Sequence, residues 1–223
     1  MPGINDLPVE LVQKTMCEMD LKGLRHMSAS SSAYRAIYMG AKSLILNRVL
    51  INELGLEIFQ LAMLRYACAN PDLKPAAGTV MVQAQTERLT PKMKLNGRVF
   101  IIDASRFQFP KTAFDDEVVR EVMSFHEKVV ARVDLGEAQK RQETARYSVG
   151  HNVLFNYLPA VKYRMATALY AAEILRKLCP REYGRDQSPA IMVKLKRHHW
   201  VSLIKTRALD IPFEVEAGTY SSD

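Results

Sequence analysis

The chain has 223 residues, of which 48% are hydrophobic and 25% are charged, and its formal net charge is +7 at pH 7. This composition excludes an intrinsically disordered chain and supplies enough apolar residues for one sizeable domain, or for a small module fused to a larger one. No apolar run approaches the roughly 20 residues that a membrane-spanning helix needs. The first residues also lack the basic and apolar regions of a signal peptide. We therefore expect a protein of the cytoplasm, the nucleus or both, without a membrane partner.

The cysteines and histidines of the chain lack the spacing of a disulfide framework or a metal site. The cysteines are odd in number and far apart, at Cys17, Cys68 and Cys179. We expect them to be free thiols in a reducing compartment. His198 and His199 would point about 100° apart on a helix, so they would not bind one ion together. No metal and no cofactor are therefore predicted.

The beginning of the chain predicts a helical module, residues 1–55, built from three short helices. Asp6 and Asp20 are typical helix N-caps. Pro8 suits a first helical turn, because the missing N–H is not needed there. Apolar residues at three- and four-residue spacing follow each cap, as in amphipathic helices. The serine-rich run at 28–32 predicts a break between two helices, because serine hydroxyls compete for backbone groups.

Residues 56–110 are predicted to contain one helix and then a linker region interrupted by proline and glycine. We expect Gly55 to end the preceding helix in a left-handed conformation. The next helix is predicted for residues 56–69, and an Asn-Pro pair ends it. One short β element is expected near residues 79–103, where the run Arg-Val-Phe-Ile-Ile favours a strand.

Residues 111–210 are predicted to form a helical C-terminal domain, and residues 211–223 a flexible tail. Apolar residues three and four positions apart predict a first helix that ends at Gly136. A second helix is predicted for residues 159–178, and a third after Pro189. The inward positions of the first helix are Val118, Val122, Phe125, Val129 and Val133. The predicted fold is therefore mostly α.

A series of short motifs runs through the predicted N-terminal module. The motifs are Leu7-Pro8-Val9-Glu10-Leu11, Asp20-Leu21-Lys22-Gly23-Leu24, Met27-Ser28 and a helix from Ser30 to Ile37. This order resembles the F-box, in the form found in filamentous-fungal proteins. The resemblance covers about residues 4–55, a quarter of the chain. The sequence departs from the family pattern at Thr15, where isoleucine is usual, and at Met16 and Met19, where branched aliphatic residues are usual.

The resemblance implies that the module docks onto the small adaptor subunit of a cullin-RING (SCF) ubiquitin ligase. The C-terminal region would then recruit an unknown target protein, raising its effective concentration near the ligase without doing chemistry itself. The residues to which the resemblance assigns adaptor contacts are Leu7, Pro8, Leu11, Met16, Leu21, Leu24 and Met27. The alternative for the same leucines is that they pack the segment onto the rest of the chain.

No catalytic motif is recognised in the sequence, and an enzyme is not predicted. The glycine-rich phosphate-binding loops and the Gly-x-Ser-x-Gly nucleophile motif are absent from it. Asp115, Asp116 and Glu117 fit the start of a helix, where negative charge is favourable. Glu173 is expected to face solvent or to pair with Lys177 four residues later.

A basic cluster with one tryptophan in it lies near the C-terminus. Interleaved basic and aromatic residues are typical of some surfaces that bind nucleic acid. We expect this cluster on a helix, where its members point in different directions, so a nucleic-acid partner is less favoured than a protein partner. The possible contact residues are Lys194, Lys196, Arg197, Lys205 and Arg207. Two alternatives to the ligase subunit stay open. One is a ligase-independent helical regulator or effector, and the other is a basic nucleic-acid-binding protein.

Overall fold

The computed structural model describes residues 7–84, 99–110, 114–147, 159–179, 190–194 and 203–205. Within these ranges the chain is mostly helical, which confirms the predicted fold class. The helices are α1 (Val9–Cys17), α2 (Leu21–Ser30), α3 (Ser32–Gly40), α4 (Lys42–Leu54), α5 (Leu56–Ala69), the single turn α6 (Ala77–Val80), α7 (Asp116–Tyr147) and α8 (Pro159–Leu178). The predicted cap Asp6 and the predicted tail at residues 211–223 lie outside the described residues.

Side-chain caps separate the short N-terminal helices, as the sequence predicts. The Asp20 carboxylate accepts a hydrogen bond from the Gly23 backbone N–H at 2.6 Å, which begins α2. The Ser31 hydroxyl oxygen accepts one from the Ala33 N–H at 3.2 Å and so begins α3. Gly55 has φ 74°, and its N–H donates to the Ile51 carbonyl at the end of α4. Each cap satisfies backbone groups that a helix end leaves without a partner.

The core lies where α5 packs against α4, α7 and α8. Nine residues of α5 are buried, so this helix is covered on almost all sides. All five predicted inward positions of α7 are buried as well. The buried side chains form one cluster that contains Val12 of α1, Val129 of α7 and Leu175 of α8. This core therefore crosses both predicted domain boundaries, at residues 55 and 110.

Helix α7 continues past Gly136, so the predicted helix end at that glycine is wrong. A Cβ atom at Gly136 would lie 3.1 Å from the terminal methyl of Met165 in α8. The glycine thus permits a close approach of α7 and α8. Its cost in helix propensity is roughly 1 kcal/mol, which packing against α8 can offset.

A four-stranded sheet accompanies the helices, with strand order β1 (Met81–Ala84), β2 (Val99–Asp103), β3 (Ala190–Lys194) and β4 (Leu203–Lys205). The outer pairs are antiparallel, whereas β2 and β3 are parallel, with Ile101 opposite Met192. The β element predicted near residues 79–103 is confirmed. The helix predicted after Pro189 is wrong at residues 190–194 and 203–205, which are strands.

A helix was predicted in place of β3 and β4 because a short apolar run fits a buried helix and a buried strand equally well. The parallel partner of β3 is β2, about ninety residues earlier in the chain, so local periodicity does not reveal it. In the described parts of the chain, none of the helices is both long and apolar enough to cross a bilayer.

Candidate protein-interaction surface

The beginning of α1 exposes three large apolar side chains, which we call the N-terminal apolar surface. Leu7, Val9 and Leu11 are 42%, 48% and 48% exposed. The carbonyl of Pro8 accepts hydrogen bonds from the backbone N–H groups of Leu11 and Val12, at 3.0 and 3.2 Å, so the first turn is well formed. This surface is therefore held by an ordered helix start.

The opposite side of α1 explains why Leu11 points outward. Val12 and Met16, four positions apart, are buried in the core. Once that stripe faces inward, Leu11 faces away from it and the Thr15 hydroxyl donates to the Leu11 carbonyl at 2.9 Å. Val9 lies three residues before Val12, on the same stripe, so its exposure follows from its place at the start of the helix.

The seven predicted adaptor-contact residues divide into three groups. Leu7, Pro8 and Leu11 are exposed, and Leu21 and Met27 are partly buried. Met16 and Leu24 are 0% and 2% exposed, so in this arrangement they pack inside the chain and leave no surface for a partner. Val9 is as exposed as Leu11 and lies inside the Leu-Pro-x-Glu-Leu motif, but it was not among the predicted contacts.

A cleft of about 410 Å³ opens between α2, α3 and the beginning of α7. Its floor is apolar and includes Leu24, Leu46 and Val119, all of them buried. Arg25 and Arg35 line it as well, and we call it the basic cleft. The basic cleft could not be predicted from the sequence, because its walls come from helices about eighty residues apart.

One wall of the basic cleft is fixed by a polar cluster at the beginning of α7. The Tyr38 hydroxyl donates to Oδ1 of Asp116 at 3.0 Å, and Nζ of Lys42 lies 2.5 Å from Oδ2. Burial acts to raise the pKa of Asp116, but the bonds from Lys42 and Tyr38 and the nearby positive charges outweigh it and leave that pKa below its ordinary value. Asp116 is therefore an ionised structural link between α3, α4 and α7.

Other ionisable side chains among the described residues have structural surroundings. Glu173 is buried and accepts two hydrogen bonds from Arg176, each 2.8 Å long, so the prediction that it faces solvent or pairs with Lys177 is wrong. Burial raises the pKa of the Cys68 thiol to about 12, so it is a poor nucleophile. Cys17, Cys68 and Cys179 are free cysteines. Across the described ranges no group of three or more His, Cys, Asp and Glu side chains is arranged to hold a metal ion.

The predicted basic contact patch is only partly described. Lys194 ends β3 and Lys205 ends β4, whereas Lys196, Arg197 and Arg207 lie outside the described residues. Lys205 pairs with Ala190, at the other end of β3 from Lys194. Four residues of a strand span roughly 13 Å, so the two described lysines belong to opposite ends of the strand pair.

Comparisons with known proteins give no relative for the chain. No family model matches it, and no curated protein and no solved structure resembles it significantly.

Proposed function

We propose that the chain is a protein-interaction subunit that docks the small adaptor of a cullin-RING ubiquitin ligase and recruits a target protein for it. The observation that carries the proposal is the N-terminal apolar surface, because its three side chains lie within five residues and occupy the predicted contact turn. Clustered exposed apolar residues are typical of interaction sites. On this proposal the chain works in the cytoplasm or the nucleus and is not an enzyme.

The rigidity of the neighbouring helices supports the same proposal. Glu53 of α4 accepts a hydrogen bond from the Leu21 backbone N–H at 2.7 Å, and Asn52 donates to the Cys17 carbonyl at 2.9 Å. These bonds hold the turn between α1 and α2 against α4. A preorganised surface loses less conformational entropy when it binds a partner.

The size of a stable interface sets a further requirement. Such interfaces bury about 1,200–2,000 Å² in total, which is more than Leu7, Val9 and Leu11 can supply. The partly buried Leu21 and Met27 are the additional contacts that the resemblance implies. A few central anchors dominate the affinity of most interfaces, so Leu7 and Leu11 should carry the largest share.

The test is a binding titration of the full chain with a purified ligase adaptor. Leu7→Asp and Leu11→Asp should each weaken binding at least tenfold, since each places a charge in an apolar contact. Leu135→Asp is the matched control, because Leu135 is 46% exposed on α7, a different helix, and should leave the affinity unchanged. Circular dichroism verifies that all three variants are folded.

The proposal is wrong if the native chain fails to bind the adaptor at micromolar concentrations, or if Leu135→Asp weakens binding as much as the two N-terminal variants do. A ligase-independent regulator is the second candidate, and the burial of Met16 and Leu24 favours it by removing two of the implied anchors. In that case affinity purification from the source cell would recover a partner dependent on Leu7 and Leu11, but neither an adaptor nor a cullin.

A further inference from the structure

We infer that the basic cleft binds a small amphipathic anion, a compound with an apolar body and one carboxylate or phosphate group. The cleft lies between α2, α3 and α7 and shares Leu21 with the contacts implied for the adaptor, but it does not include Leu7 or Leu11, which the adaptor titration changes. Its volume of about 410 Å³ falls in the lower part of the range for small-molecule sites, roughly 300–1,000 Å³.

Apolar side chains of the cleft account for the body of the ligand. Leu24, Leu46 and Val119 form its base but are almost completely buried, so most of the accessible apolar surface comes from the partly buried Leu21 and from Met39. Met39 is 58% exposed. A methionine side chain is flexible and adapts to irregular apolar shapes, so it suits the edge of such a site. An apolar group placed here would cover side chains that now face water.

The charges of the cleft account for the anionic group. Arg25 and Arg35 line it, and neither guanidinium group makes a hydrogen bond or salt bridge with another described residue. Asp116 is the acidic residue among the described lining side chains, and Lys42 already neutralises it at 2.5 Å. The charge of Arg25 lies near enough to Asp116 to help lower its pKa, but neither arginine forms a salt bridge, so both guanidinium groups keep N–H donors that no described residue occupies. Guanidinium groups bind carboxylate and phosphate through paired N–H donors.

Small ligands fit these observations better than a protein segment does. The apolar residues and the two arginines line one cleft of about 410 Å³, a volume that suits a small compound. A peptide helix would need a long apolar groove with anchors at successive turns.

The experiment is an equilibrium titration of the full chain with probes that carry an unbranched tail, of seven carbons in octanoate and of eight in octyl phosphate and octylamine. Octanoate and octyl phosphate should bind saturably with one site per chain. Octylamine has the same tail as octyl phosphate and the opposite charge, so its affinity should be at least tenfold lower. Inorganic phosphate has the charge without the tail and should bind too weakly to saturate. Octanoate and octyl phosphate together distinguish a preference for carboxylate from one for phosphate.

Variants locate the site. Arg25→Gln and Arg35→Gln should each raise the dissociation constant for octanoate about tenfold, as expected for the loss of one charge-assisted hydrogen bond. Arg164→Gln is the matched control, because Arg164 is an exposed arginine of α8 away from the cleft, and it should change the constant less than twofold.

The inference would be overturned if neither anion bound saturably, if octylamine bound as tightly as the anions, or if Arg164→Gln weakened binding as much as Arg25→Gln and Arg35→Gln do. Saturable binding of an acidic peptide without binding of either small anion would also overturn it. The adaptor titration uses other variants and another binding partner. A failure of ligand binding can therefore be told apart from a failure of adaptor binding.

Discussion

At the scale of single residues, a buried aromatic and polar group links α5, α7 and α8. Tyr170 is completely buried, and its hydroxyl oxygen lies 3.2 Å from Nδ1 of His126. The rings of Tyr170 and Phe125 meet edge to face, with centroids 5.2 Å apart. The guanidinium group of Arg65 lies 4.2 Å from the centre of the Phe125 ring. Arg65 also donates from Nη1 to Glu121 at 2.7 Å, whereas its Nε is buried without a hydrogen-bond partner among the described residues.

The imidazole of His126 makes stability depend on pH. Burial lowers its pKa below the ordinary 6.5, although the charges of Glu127 and Glu53 act in the opposite direction. The unfolded chain therefore binds a proton at a higher pH than the folded chain does. The stabilisation is fully present above pH 6.5 and is lost as the pH falls through the lower pKa of the folded state.

We expect His126→Gln to remove this dependence, because glutamine can still bond to the Tyr170 hydroxyl but does not titrate. Urea unfolding at pH 5 to 8 measures this dependence. Below pH 6.5 the free energy of unfolding should fall more steeply with pH for the native chain than for the variant. His26→Gln serves as the control, since His26 is exposed, and it should retain the native slope. Parallel pH profiles for His126→Gln and the native chain would contradict the expectation.

Glu173 shows why some residue-level predictions from sequence fail. An acidic residue in an alanine-rich helix ordinarily marks a solvent face. Helix α8, however, is buried on every side from Thr167 to Leu175, so it has no solvent face at this position. Arg176, three residues later, binds both carboxylate oxygens and allows the burial. The burial of Glu173 is determined by the packing of α8 against its neighbours, so it could not be predicted from the sequence of α8 alone.

At the scale of elements, the sharp turn between α4 and α5 depends on one glycine. Gly55 has φ 74° and ψ 148°, a conformation that is nearly restricted to glycine. The ψ value lies far from the left-handed helical region that asparagine tolerates. A Cβ atom at this position would meet nothing within 4 Å, so any cost of substitution arises from the backbone.

We expect Gly55→Ala and Gly55→Asn to destabilise the fold equally, by about 1–3 kcal/mol, in chemical denaturation. The matched control is Gly40→Ala at the end of α3, where a Cβ atom also meets nothing within 4 Å and φ is not positive. That substitution should be neutral or stabilising by up to about 1 kcal/mol. Rescue by asparagine would show that the turn adopts the left-handed helical conformation instead.

Elements with local signals could be predicted from the sequence, and elements that depend on distant partners could not. Asp20, Ser31 and Gly55 fix helix ends through bonds within a few residues, so their positions follow from residue type. By contrast, β3 needs β2 as a partner, and Gly136 needs Met165 nearby to remain inside a helix. For the candidate site, the same division holds. The motif indicates Leu7 and Leu11, but the basic cleft exists only after α7 has packed against α2 and α3.

At the scale of the whole molecule, the described helices share a single core. Helix α4 packs on α1, α5 and α7, and α5 packs on α8. Leu24 of α2 and Leu175 of α8 belong to the same buried cluster, although one lies in the predicted N-terminal module and the other in the predicted C-terminal domain. Residues that share a core gain stability from each other when they fold together.

We therefore expect one cooperative unfolding transition, into which both regions are coupled. Leu24→Ala and Leu175→Ala should each lower the free energy of unfolding by about 2–5 kcal/mol and shift the whole transition, because each leaves a cavity in a core that both regions form. Leu135→Ala removes an exposed side chain and should change it by less than about 0.5 kcal/mol. Urea unfolding followed by far-UV and near-UV circular dichroism measures both the midpoint and the number of steps. If Leu24→Ala displaced only the first of two transitions and Leu175→Ala only the second, the two regions would be independent domains, and their shared core would contribute little to the stability of either.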